Sequence, residues 1–163
     1  MTADQAKAVG AALGQQLQYE WMATVKVIEA IPEANKNWKP AESSRSAWEL
    51  ALHLAETDVW FLESVLNQKF GAPAPSGATT IAELAAWYKA QMPARLERVL
   101  ALDGAHLAPI VTFYSYKMPN AQYLVFAAVH AAHHRGQLSA YLRPMGARVP
   151  SIYGGSADEP MTA

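Results

Sequence analysis

The sequence predicts an all-α protein, an up-down four-helix bundle with an irregular C-terminal tail, and three observations carry that reading. Chain breakers divide the 163 residues into four long blocks whose apolar residues recur every three or four positions. Two blocks open on the capping pattern S/T-x-x-E, at Ser46 with Glu49 and at Thr80 with Glu83. No strand–helix alternation, internal repeat or low-complexity run interrupts the blocks, so helices packed on helices are the economical solution. A chain of this size buries roughly 70% of its unfolded surface, and residues 1–163 read as a single domain.

The first helix is expected over residues 4–30 and stops at Ile31-Pro32, because proline disfavours helix in the residue before it. Its apolar face is Ala6, Leu13, Leu17, Trp21, Val25 and Ile28. Gly10 and Gly14 weaken helix propensity there but let a neighbour come close. The second helix starts at Ser46 and runs through His53 to about residue 68, where GAPAPSG breaks it. It carries two apolar stripes, Leu50, Leu54, Phe61 and Val65 on one side, and Trp48, Leu52, Val59, Leu62 and Leu66 on another. The second stripe either wedges the helix between neighbours or forms a homodimer seam. Glu49, Glu56 and Glu63, between the stripes, read as a solvated edge.

The third helix spans about 80–102 and contains Pro93, which predicts a kink or a broken turn. HLAPIVTFYSYKMP then reads as an extended connection. It exceeds the roughly 2–8 residues usual between bundle helices, which marks it as a segment with work to do. The fourth helix covers about 120–143 and ends at Pro144 and Gly146, and the tail 147–163 is expected to be irregular.

Composition removes several classes of function. The 13 Lys and Arg nearly balance 14 Asp and Glu, so there is no basic footprint for nucleic acid or an anionic membrane. The cysteine count is 0, which excludes disulfides, thiolate metal sites and a cysteine nucleophile. No apolar run is long enough to cross a bilayer, and the first residues lack a signal peptide's charged and apolar regions. A cytoplasmic protein acting on a small-molecule substrate is expected, with chemistry from histidine, carboxylate or hydroxyl groups.

Histidine is the informative residue. Of His53, His106, His130, His133 and His134, three crowd the fourth helix. At about 100° per residue His130 and His134 share the face of Tyr123, Ala127, Leu138 and Tyr141, whereas His133 falls at its edge. Two imidazoles one turn apart on an apolar face need partners, and a divalent cation takes one nitrogen from each. H-x-x-x-H alone is a weak signal that leaves a metal-free core pair open. His53, beside Thr57, Trp60 and Ser64 on the second helix, supplies a third ring if the two helices pack at matching depth. His106 is expected to be exposed. Glu20, at the rim of the first helix's core face, reads as a partner or base for the site, or as solvated. E-x-x-H, H-E-x-x-H, G-x-S-x-G and the phosphate-cradling G-x-x-x-x-G-K-[ST] are all absent.

The stretches ELALHLAETDVWFLE and HAAHHRGQLSAYLRPMGARVPSIYGGSADEP, with the looser IPEANKNWKP, resemble the DinB/YfiT-like superfamily of metal-binding four-helix bundles. The resemblance covers nearly the whole chain. It implies one divalent cation held by His53, His130 and His134, with zinc or nickel favoured and iron or manganese possible from the donor set. Arg135 and Gly136 match the family pattern, with Gly136 read as a close-packing position and Gln137 as bracing the site. The segment 149–153 is expected to fold back on the bundle. The resemblance also implies a homodimer and two activities, activation of a low-molecular-weight thiol for transfer and metal-dependent hydrolysis. A non-catalytic metal or small-ligand sensor stays open beside them, as does a metal-free structural role for the histidines.

Overall fold

Three capping boxes set helix starts: Thr2 with Gln5, Ser46 with Glu49, and Thr80 with Glu83. In this computed structural model, which describes residues 1–161, they open α1 (Ala3–Glu29), α2 (Ala47–Asn67) and α3 (Ile81–Leu100). A helical turn, α4 (Gly104–Leu107), and a hairpin follow, and the last long helix is α5 (Tyr123–Leu142). The four-helix bundle predicted from the sequence is the observed fold. Helix α5 packs against α1 and α2, and α3 packs against the same two from the other side. His53 on α2 and the histidines of α5 therefore lie on neighbouring helices.

Burial follows the predicted faces. On α1, Ala6, Leu17, Val25 and Ile28 are buried, and on α2 so are Leu50, Leu54, Phe61 and Val65. A Cβ on Gly10 would stand 2.5 Å from a Leu107 methyl, and one on Gly14 would stand 2.8 Å from Leu100, so both glycines let a neighbour in. Gly136 does not: an added Cβ there meets open space, which corrects the close-packing role.

Other expectations also change. Helix α3 runs unbroken through Pro93. The buried face Leu84, Tyr88, Met92, Leu96 and Val99 holds the helix together where one backbone hydrogen bond is lost. The outer stripe of α2 is wedged within the chain, with Val59, Leu62 and Leu66 buried and Trp48 and Leu52 half-buried. None of the three glutamates is merely solvated: Glu49 accepts from the Ser46 backbone N–H in the capping box at 2.8 Å. Glu56 accepts from the backbone and hydroxyl of Ser76, tying the loop back to α2, and Glu63 pairs with Arg95 of α3 at 3.0 Å.

The extended connection is a β-hairpin. Strands β1 (Ile110–Phe113) and β2 (Tyr116–Pro119) pair antiparallel with Phe113 opposite Tyr116, leaving Tyr114 and Ser115 as the loop. Pro109 and Pro119 sit at its open end, where a missing N–H is tolerated. His106 is half-buried, not exposed, because its Nε2 lies 3.1 Å from the Val65 carbonyl. The tail returns as expected: Pro150 is buried and the Tyr153 hydroxyl reaches Glu20 of α1. No helix among the described residues is long and apolar enough to cross a membrane.

Candidate metal centre

The phase of two adjacent helices builds the site. His130 and His134 stand one turn apart on α5, and His53 of α2 packs between them edge-on. Its ring centroid is 4.9 Å from that of His130 and 4.7 Å from that of His134. One potential ligand nitrogen from each ring lies within 4.8 Å of the other two, and all three residues are half-buried. The depths of the two helices match. His133 is exposed and outside this group, although its ring touches that of His134.

Each ring is anchored through the same nitrogen. His134 Nδ1 lies 2.7 Å from Gln137 Oε1, an acceptor, so this nitrogen carries the proton and Nε2 is left with its lone pair. His53 Nδ1 lies 3.3 Å from the Thr57 hydroxyl, and His130 Nδ1 lies 3.4 Å from Asp58 Oδ1. The inward pair, His53 Nε2 and His130 Nε2, sits only 3.1 Å apart. Outer nitrogens held by protein groups and inner nitrogens turned on one another are the arrangement of metal-bound imidazoles. Gln137 braces the site, as the sequence suggested.

Asp58 is the residue that sequence reasoning missed. It is buried, and the Tyr88 hydroxyl of α3 donates to its Oδ2 at 2.9 Å. Burial pushes its carboxyl above the usual range, against the hydrogen bonds from His130 and Tyr88 that favour the charge. Burial and the neighbouring Asp58 charge push the Tyr88 hydroxyl well up, so it remains a donor. The one sequence-level signal was an aspartate directly before the apolar run Val59–Leu62 of a helix.

His53 and His134 are held toward the neutral form. Burial, then repulsion from Arg45 and the two other rings, lowers His53 to about 4. Burial lowers His134 as well, against the Gln137 contact. Neutral rings are the ligating form.

Glu20 does not serve this centre. It is buried and bonds Gln16, Arg135 and Tyr153. Burial alone would raise its carboxyl, but the Tyr153 hydroxyl and the Arg135 charge hold it below the usual range. Arg135 is fully buried and also donates to the Glu20 carbonyl and the Thr24 hydroxyl, at 3.1 and 3.3 Å.

The model of the DinB family matches residues 6–161. The chain belongs to the DinB family. Among curated proteins, YrdA of Bacillus subtilis strain 168 is 26% identical over 148 residues, covering 87% of this chain and 86% of YrdA. The DinB fold is shared with solved structures. A DinB-like protein from Bacillus cereus ATCC 10987 superposes with a TM-score of 0.74 at 24% identity, covering 86% of this chain and 95% of that one. The DinB-like YjoA of Bacillus subtilis gives 0.73 at 23% identity, covering 86% of this chain and 97% of its own. At these identities the superpositions speak for the fold alone. The three-histidine group could hold a metal ion on the strength of its own geometry.

Proposed function

We propose that His53, His130 and His134 hold one divalent cation, and that the protein uses it to activate a small thiol or water against a small electrophile. The observation that carries this reading is the shared anchoring of the rings, with every Nδ1 against a protein group and the Nε2 atoms left for a common guest. Three imidazole ligands suit zinc or nickel, and they leave positions open for a further ligand. When bound, such a cation supplies Lewis acidity that lowers the pKa of a thiol or water brought to it.

The chain's own residues do the rest. Asp58 holds the Nδ1 proton of His130 and makes that ring a stronger donor, while Tyr88 holds Asp58. Gln137 and Thr57 keep the other two rings from turning. Phe61 covers one side of His130, its ring centroid 5.9 Å away, and limits water there. Lacking cysteine, the protein draws any thiol from solution. The homodimer that the resemblance implies would need a face other than the outer stripe of α2, and exposed Val125 and Val129 on α5 offer one.

Elemental analysis of the parent beside His53→Ala and His134→Ala tests the centre. The expected result is one cation per parent chain and none in either variant. Retention of the cation by both variants would overturn the assignment. Zinc- or nickel-loaded protein incubated with thiols and electrophiles, and with esters, then tests catalysis. Turnover lost in His134→Ala supports it, and rates at background across the whole panel reduce the function to binding.

A further inference from the structure

The aromatic cleft beside the hairpin is not used by the metal centre. Trp60, Phe70, Gly71, Thr112, Phe113 and Tyr114 line a space of about 200 Å³, and a cavity of about 150 Å³ is already enough for benzene. Its walls are preset. The Trp60 Nε1–H donates to the Gly71 carbonyl at 2.8 Å, which fixes the indole plane. Phe70 and Phe113 meet Trp60 edge-on at 5.2 and 5.4 Å.

Tyr114 is the telling residue. It occupies the first loop position of a two-residue hairpin with φ of +50°, a conformation ordinarily given to glycine. Its side chain is 87% exposed, so folding gains little burial from it. Its ring meets only the Phe113 ring edge-on, at 4.8 Å, among the aromatic rings of the cleft, and strain of this kind gathers where ligands bind. The cleft also lies close to the histidines. Trp60 is on the stripe of α2 that carries His53 and Thr57, about 10 Å further along the helix. Phe61 bridges the two regions, with its ring 5.1 Å from Trp60 and 5.9 Å from His130.

We propose that the cleft between Trp60 and Tyr114 is a subsite for a flat aromatic ring, so that the small molecule handled by this protein is aryl-substituted. The ring enters between the indole and the tyrosine, and the reacting end of the molecule extends past Phe61 toward the histidines. Only that last placement rests on the metal-centre reading; binding of the ring itself needs no cation.

The test is a titration of the full-length protein with benzyl alcohol, and with cyclohexylmethanol as the saturated control, followed through the Trp60 indole N–H and the amides of residues 112–114 by NMR. Saturable shifts are expected with benzyl alcohol, about tenfold tighter than with the control, as one good aromatic pairing provides. Tyr114→Gly is the decisive variant, since it relieves the positive φ while removing the ring. It should keep or raise Tm and weaken benzyl alcohol by about fivefold or more. A lowered Tm with unchanged binding would make Tyr114 a packing residue and overturn the subsite. So would equal affinity for the two alcohols, or an absence of saturable shifts. Running the titration on His53→Ala separates the two readings. Ring binding kept in His53→Ala that has lost its cation supports both readings; ring binding in a parent that holds no cation sinks only the metal centre, and a parent that holds a cation without ring binding sinks only the subsite.

Discussion

Helix α5 carries two polar clusters on opposite flanks. Toward α1, Arg135 meets Glu20, Thr24 and Tyr153, and its donors are matched by acceptors within the chain. Toward α2, His130 and His134 meet His53, with Nε2 of His53 and Nε2 of His130 3.1 Å apart and one nitrogen of each ring within 4.8 Å of the other two. The first cluster pairs a guanidinium with a carboxylate; the second turns one nitrogen of each of three imidazoles toward its neighbours. Residue types alone do not separate a structural cluster from a binding one. The balance of donors and acceptors does.

That contrast can be broken most forcefully at Arg135. Arg135→Met leaves Glu20 buried without its charge partner and should cost about 3–5 kcal/mol of stability. Urea unfolding measures this, and folded Arg135→Met protein should still take up its full complement of cation. Loss of the cation at unchanged stability would mean that the two clusters are one.

Asp58→Asn attacks the other cluster. It weakens the hold on His130 and should lower cation affinity about 10- to 100-fold, read by competition with a chromophoric chelator. Stability should change less than in Arg135→Met. Unchanged affinity would remove Asp58 from the centre.

Acid sharpens the contrast further. His53 has a folded value of about 4 against 6.5 for the ordinary imidazole. Between these pH values the unfolded chain binds more protons than the folded one, so stability falls as pH drops through this window. Urea midpoints measured in the presence of chelator from pH 7 to 4.5 should show the slope, and His53→Ala should flatten it. The depressed carboxylates, Glu20 among them, add their loss only at the lower end of that range and below. The smallest effect belongs to Tyr153→Phe, which removes one hydroxyl from the Arg135 cluster. It should cost about 1 kcal/mol and leave cation binding untouched.

Much of the site was legible because helix phase is local. The spacing of His130 and His134, and the choice of His134 over His133, follow from turns of a single helix. The capping boxes at Ser46 and Thr80 are local in the same way. Whether His53 stands at the depth of the α5 pair is a matter of interhelical register, and no residue nearby encodes it. Asp58 escaped notice for a related reason. Its partners are His130, 72 positions away, and Tyr88, 30 positions away, so nothing beside it in the sequence announces its role. Glu20 looked like a rim residue because Arg135, which buries it, arrives from 115 positions along the chain. The hairpin was hidden by its own loop, since Tyr114-Ser115 lacks the Asn-Gly or Gly-led signal that marks tight turns.

The most direct measurement is X-ray absorption at the metal edge of the zinc-loaded parent. Three imidazole nitrogens at about 2.0–2.1 Å, with this histidine signal lost in His53→Ala, is the predicted result. A first shell of carboxylate and water oxygens, unaltered by that substitution, would contradict it.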